Sequence, residues 1–213
     1  MAFHLRRCAL VLSLASAVLA FSLPVQTQGA KAAPATRLDV APGSKAGYRV
    51  NEQLARFTLP NDAVGTTEAV SGGIGIQPDG SFSSDSKLTV DLRTLKSDEP
   101  KRDGFLRENT LETAKFPRAE FVPRRQKGLP VPLRSSGTAR FQLIGDMALH
   151  GVTSELTWNV VANLANDIIA ATSTTNFPFA KFGLTIPKIF GLVSVVDDIK
   201  LELDVKLRRV ASR

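Results

Sequence analysis

An all-β protein, built as an antiparallel barrel of about eight strands, is what this sequence predicts. Three observations predict it. Residues 199–207 alternate strictly, with Ile199, Leu201, Leu203, Val205 and Leu207 interleaved by Lys200, Glu202, Asp204 and Lys206. A period of two puts one set on each face of a strand, one against a core and one in water. Residues 145–160 hold two more alternating runs around His150-Gly151, a pair suited to a tight reversal because glycine tolerates the backbone angles it needs. The remaining segments add short apolar runs between turn signals, with few helices and no βαβ alternation. Such a meander hides its edges by closing into a barrel, whose interior is either packed solid or holds one small ligand.

The 213 residues begin with a stretch that reads as a secretory signal: Arg6 and Arg7 precede an apolar run over residues 8–21, too short to span a bilayer comfortably. Small residues offer cleavage after Ala20 or after Ala32. The expected organisation is a signal over residues 1–32, a linker over 33–45 and a barrel over 46–209, placing the mature protein in the periplasm or outside the cell. Cys8, the only cysteine, lies in the leader, so the mature chain has no disulfide or thiolate metal site. A chain of this length can be stabilised by its core alone.

Within the barrel, Tyr48 and Val50 alternate, and residues 54–59 form a second apolar run. Residues 64–77 are rich in Thr, Val and Ile, with Gly72, Gly73 and Gly75 marking a bulge or a close backbone approach. Pro78-Asp79-Gly80 is a turn. Residues 87–92 form a strand with Leu88, Val90 and Leu92 on one face. Residues 96–116 break the β-pattern, and a short helical segment near 98–113 is expected to cover a barrel end, anchored by Phe105 and Leu106 and ended by Phe116-Pro117. Residues 118–123 resume as a strand with Phe121 inward, and 124–137 read as a basic, proline-rich loop. The hairpin follows, with Phe141, Leu143 and Met147 before the turn and Leu156, Trp158 and Val160 after it. Residues 168–175 form another strand. Phe177 opens an aromatic cluster whose Pro178 argues for an edge or crossover.

Charge is uneven. The formal net charge is +7, and it falls to +4 if residues 1–32 are removed. Residues 93–140 carry 12 Lys/Arg against 6 Asp/Glu, while residues 35–92 carry 5 against 7 and residues 141–213 carry 7 against 7. The basic segment is a solvated face or an attraction to anionic lipid headgroups or a ligand phosphate. Nucleic-acid binding has no further support, since no basic stripe is interleaved with aromatics.

Catalytic chemistry has little to stand on. One histidine, His150, remains after the leader, which removes any two-histidine zinc or iron site, and no Gly-x-Ser-x-Gly elbow is present. No metal and no cofactor is expected. A lone histidine at a hairpin turn reads as structural, bonding backbone across the turn. Arg102, Asp103, Asp146 and His150 are the candidates for a polar mouth, with Asp146 either paired to an arginine or facing solvent.

The wording of the hairpin is more specific than its pattern. Residues 145–153, Gly-Asp-Met-Ala-Leu-His-Gly-Val-Thr, resemble the G-D-L-T-L-H-G-V-T signature of the YceI-like family, with Met147-Ala148 replacing Leu-Thr. Arg102-Asp103-Gly104-Phe105-Leu106-Arg107 and Phe116-Pro117-Arg118-Ala119-Glu120-Phe121 are similar to that family's R-D-x-x-L-R and F-P-x-A-x-F motifs, in the same order. The resemblance spans about residues 46–207. It implies an extended lipocalin-like barrel whose pocket takes a long polyisoprenoid chain, commonly exported to the periplasm. On this reading the lining is apolar: Leu88, Val90, Leu92, Phe105, Phe121, Phe141, Leu143, Met147, Leu156, Trp158, Val160, Phe177, Leu201 and Leu203. The expected partners are a polyisoprenoid or other long-chain lipid, an anionic membrane surface and a second copy of the chain. Against a carrier stand a lipid-modifying enzyme using His150 as acid-base and a structural envelope or stress protein.

Overall fold

The alternation turns into pleated strand along most of the chain. The computed structural model describes residues 35–55, 59–188 and 192–210. The expected signal over residues 1–32 lies outside them. The strands are β1 (Thr36–Val40), β2 (Lys45–Leu54), β3 (Asn61–Thr67), β4 (Val70–Ile76), β5 (Lys87–Asp91), β6 (Lys96–Ser97), β7 (Arg118–Lys127), β8 (Gly137–Leu149), β9 (Val152–Leu164), β10 (Ile168–Phe177), β11 (Leu192–Val195) and β12 (Ile199–Val210).

Pairing runs β1-β4-β5-β7-β8-β9-β10-β12 and returns to β1, so eight antiparallel strands close a barrel with no free edge in the ring. The first half of the chain extends three staves beyond that ring. β1 and β2 share the same neighbour: Val40 pairs with Leu207 of β12, while Lys45 pairs with Asp204. β3 pairs with β2 and leads into β4, and β6 follows β5 and pairs with β3. β11 adds to the outer end of β2.

Each break between staves has a local cause. At the β1–β2 corner the hydroxyl of Ser44, 2% exposed, donates to the Ala41 carbonyl at 2.8 Å and accepts from the Lys206 N–H at 3.0 Å. A buried side chain thus replaces the ladder bonds that the corner interrupts. Between β3 and β4 the Ala69 N–H finds the Thr67 hydroxyl at 3.0 Å, and the Asp91 N–H finds the Ala69 carbonyl at 3.0 Å. Gly72 takes φ +106°, and a Cβ there would collide with the Lys87 carbonyl, the close approach expected of a glycine in a strand.

Helix α1 (Pro100–Phe105) continues into one wider turn over Leu106–Thr110. Glu99 caps it, accepting from the Lys101 N–H at 3.2 Å, and Pro100 occupies the first helical position. The helical stretch ends before Phe116, because Glu112 adopts φ +45°. β7 does not stop at Pro123. It runs to Lys127, its pairing with β8 shifting between Pro123 and Arg125 so that one residue bulges out. The reading of 124–137 as loop therefore holds only beyond Lys127. The linker over 33–45 is corrected as well: Thr36–Val40 is a stave of the barrel, with Leu38 only 3% exposed. Its alternation is too short to separate from a polar linker without its partners, β4 and β12.

Candidate functional site

The inward residues of the long strands meet a hollow, not each other. A cavity of about 600 Å³ runs inside the barrel. Leu88, Val90, Leu92, Phe105, Phe121, Phe141, Leu143, Met147, Trp158, Val160, Phe177, Leu201 and Leu203 all line it. Leu156 does not: it is 5% exposed and packs in the surrounding core. Each strand contributes by parity. β9 sends Trp158, Val160, Ala162 and Leu164 inward, and β12 sends Ile199, Leu201, Leu203, Val205 and Leu207. The cavity's far end is lined by Phe82, Leu129 and Leu133, from the connections after β4 and β7.

The other end carries the polar groups. Turn 150–151, α1 and the crossover between β10 and β12 gather there, with Glu52, Glu99, Lys101, Arg102 and Glu202 lining the cavity. Arg102 donates to Glu52 at 2.8 Å, to Asp98 at 2.7 Å and to the Ser97 hydroxyl at 3.3 Å. Its side chain is 15% exposed and that of Glu52 is 10%. Burial works against the guanidinium charge, but the carboxylates of Asp98 and Glu52 outweigh it, so its pKa is raised. Arg102 thus ties α1 to β2 across the mouth.

The remaining polar candidates are elsewhere. Asp103 accepts from the Ser97 N–H at 2.9 Å and the Ser97 hydroxyl at 2.7 Å, fixing the start of α1 instead of lining the cavity. Asp146 has outward parity on β8 and accepts from Arg124 at 2.8 Å, so it pairs with an arginine on the outer wall, not at the mouth. His150 sits at φ 52° and Gly151 at φ 76°, the two left-handed residues of a primed hairpin turn. Its Nε2 lies 3.0 Å from Glu112, and its ring meets Phe116 edge-on at 4.9 Å. The histidine bonds a side chain across to the 106–117 connection, not backbone across its own turn as expected. Hydrogen bonds from Lys115 and then His150 hold the Glu112 carboxyl below its ordinary range.

Among the cavity residues that escaped the sequence reading as site residues are two polar ones on β2, Tyr48 and Glu52, which share inward parity with Val50. A carboxylate on an inward face was the available signal, since it demands a cation. Which cation, Arg102, depends on how α1 folds back.

The Tyr48 hydroxyl and the Trp158 indole nitrogen are buried without a hydrogen-bond partner among the described residues. Burial pushes the Tyr48 phenol up to about 12, partly countered by the charge of Arg102. The Tyr48 ring lies over Gly65, where a Cβ would collide with it. Trp158 meets Phe121 in an edge contact at 6.1 Å.

The barrel is similar to solved structures at low sequence identity. A polyisoprenoid binding domain from Saccharophagus degradans, implicated in plant cell wall breakdown, matches with TM-score 0.63 and 16% identity over 82% of this chain and 98% of that one. BcnA from Burkholderia cenocepacia matches with TM-score 0.58 and 14% identity over 76% and 95%. The YceI protein of Campylobacter jejuni matches with TM-score 0.52 and 14% identity over 70% and 85%. No curated protein sequence matches significantly. Identities this low carry the fold alone. The sequence itself carries the family: the YceI-like domain matches residues 43–207, including the hairpin signature, the α1 motif and all the strands of the ring but β1, and the chain belongs to the YceI-like family.

Proposed function

We propose that the protein is a binding protein that holds a polyisoprenoid-type amphiphilic lipid in the barrel and carries or sequesters it outside the cytoplasm. The observation that carries this reading is the 600 Å³ cavity with its aliphatic and aromatic lining. A barrel packed solid would have filled that space. Its size falls within the range of small-molecule sites, with room for about 20 water-sized groups at ~30 Å³ each. The polyisoprenoid binding domain from Saccharophagus degradans, which shares the fold, supports the choice of ligand. Each isoprene unit buried is worth roughly 3–4 kcal/mol of transfer free energy, against several lost in ordering the chain. One or two units therefore bind weakly, and affinity rises until the cavity is full.

The mouth argues for a weakly polar head over a phosphate. Its charges are matched: Glu52 and Glu99 face Lys101 and Arg102 in the lining, while Glu202, on the outward parity of β12, pairs with Arg49 and Lys200. A quinone-like head adds no charge to this balanced, partly desolvated site, whereas a prenyl phosphate would. The enzyme reading loses its only candidate base, because His150 does not line the cavity and is engaged with Glu112 and Phe116.

Mass spectrometry of lipid co-purifying with the native protein tests the proposal. Titration of delipidated protein with chains of one to eight units is the second test, read through Trp158, the only tryptophan. An isoprenoid lipid and a fluorescence change that grows with length are expected. No extractable lipid and no response at any length would overturn the reading.

Lipid exchange at an anionic membrane is part of the same proposal. Of the twelve cations over residues 93–140, Arg93, Arg102, Lys115, Arg124 and Arg125 are engaged in ion pairs. Attraction then rests on the others, such as Lys127, Arg134 and Arg140. Liposome binding should weaken with salt, since exposed charges are screened over roughly 8 Å at physiological ionic strength. Equal binding to neutral liposomes would count against it.

A further inference from the structure

The positive excess of residues 93–140 gathers away from the mouth. Residues 96–115, which lead into and through α1, hold five Lys/Arg and five Asp/Glu and cancel. Residues 116–140 hold six Lys/Arg against one Asp/Glu. β7 runs with that charge toward the far end of the barrel, where residues 128–136 lie across it as a strap. Val131 abuts Gly80, in the connection after β4, and the Arg134 carbonyl accepts from Arg209 of β12, four strands round the ring from β7 in either direction. Leu129 and Leu133 turn from the strap into the cavity. Lys127, Arg134, Arg140 and Arg208 are exposed at this end and have no carboxylate partner among the described residues. The acids nearby are Asp39 and Asp85, both paired with Arg37, Asp79, which is bonded to Ser81, and Asp167. Exposed Val131, Ile168 and Val210 stand among these cations, with Ile168 directly opposite Arg208. The mouth exposes Leu59, Val152 and Val196 as well, but beside balanced charge.

We propose that this end of the barrel, the strap with the adjoining rims of β7, β8, β10 and β12, is the face that rests on an anionic bilayer, with its free cations at the headgroups and Val131, Ile168 and Val210 in the interface. This rests on the reading of a carrier that exchanges lipid at a membrane, and adds which face makes the contact. A bilayer fits better than a soluble polyanion because free cations and exposed apolar side chains occur together, and only a membrane surface offers anionic groups beside hydrocarbon. Docked this way, the cavity end walled by Phe82, Leu129 and Leu133 points at the bilayer, and the ion-paired mouth with Arg102 and Glu52 stays in water.

The test uses the full chain in a Cys8→Ser background, with vesicles of phosphatidylcholine alone or mixed equally with phosphatidylglycerol. Residues 8–21 contribute alike to every variant, and the neutral vesicles read that contribution. A cation at an anionic surface is worth roughly fivefold in affinity. Lys127→Ser, Arg134→Ser and Arg140→Ser combined should therefore weaken binding to the anionic vesicles more than about tenfold. Lys96→Ser, Lys181→Ser and Lys188→Ser, three cations of the mouth half, should change it less than about threefold, because they lie well beyond the screening length from a bilayer at the strap. A polarity-sensitive dye on Val131→Cys should shift to the blue on anionic vesicles, while the same dye on Val152→Cys, beside the hairpin turn at the mouth, should not. Circular dichroism confirms that each variant is folded. The reverse pattern of dye shifts, equal weakening by the two triple variants, or binding to dextran sulfate without binding to vesicles overturns the proposal. The carrier reading stands or falls separately, on lipid extracted from the native protein and on the Trp158 titration.

Discussion

The two halves of this barrel are built by different rules. From β7 through β10, and again in β12, strands of 10–13 residues pair along almost their whole length. Burial follows strict alternation in β9, where Leu156, Trp158, Val160, Ala162 and Leu164 are buried and the residues between them exposed. From β1 to β6 the strands are 2–10 residues long and break at Ser44, at Glu68-Ala69 and at the turn over Leu92–Thr94. The regular half can stand around an empty space because its backbone is satisfied by the ladder and needs nothing from the interior. The broken half gives up ladder bonds, replaces them with buried hydroxyls and in exchange brings Tyr48, Glu52 and Arg102 to the cavity.

The largest expected effect separates packed core from hollow wall. Phe182 is 0% exposed, meets Phe177 edge-on at 4.8 Å and does not line the cavity. Phe182→Ala should cost about 3–5 kcal/mol in urea denaturation. Trp158→Ala in delipidated protein should cost about half as much, because the contacts on its cavity side were never made. The difference should narrow when a filling lipid is added. Equal losses without lipid would mean the interior around Trp158 is solid.

Next come the two ways an arginine is held. Arg102→Ala leaves Glu52 buried without its cation, and a loss of about 3 kcal/mol is expected, with faster lipid exchange as α1 is freed from β2. Arg124 and Asp146 are 60% and 36% exposed, and Arg124→Ala should cost less than about 1 kcal/mol. Two equally small losses would show that water reaches Glu52 freely.

Tyr48 provides a smaller, pH-resolved effect. Its pKa is raised from 10.0 to about 12, so the folded state holds the phenol proton more tightly than the unfolded chain does. Its stabilisation is full below pH 10 and is lost as pH rises through 12. Two units at 1.36 kcal/mol each, reduced because the ring is only half-buried, leave about 1–2 kcal/mol. Tyr48 is the only tyrosine, so absorbance of the phenolate reports it alone. Tyr48→Phe should flatten the alkaline fall in stability between those pH values. An ordinary titration near 10 would place the hydroxyl in water.

The smallest effect is expected at the hairpin turn. His150→Asn keeps a residue that tolerates the left-handed conformation, loses the Glu112 bond, and should change stability by no more than about 1 kcal/mol. Lipid binding should be unchanged. A lost activity with intact binding would restore the enzyme alternative.

Legibility followed the same division. Long alternating strands announce themselves, and the inward set on β8, β9 and β12 could be read directly, apart from Leu156, whose parity is right but which packs in the surrounding core. The short staves could not be read this way. Thr36–Val40 has one buried residue in five, Leu38, and looks like linker until β4 and β12 flank it. Pro123 looked like the end of a strand because proline removes a ladder donor, yet a bulge lets β7 continue past it.

By itself, then, the sequence determined which residues could face inward, because pleat parity is a local property of consecutive residues. It also determined the family, through motifs that stand at the hairpin and α1. Tertiary structure decided the rest: that Arg102 meets Glu52, fifty positions away, while Asp146 and His150 turn to other partners; and that the enclosed space stays open. Those depend on closure of the ring and on the shear between strands, which join residues far apart in the chain and leave no trace in any one window of it.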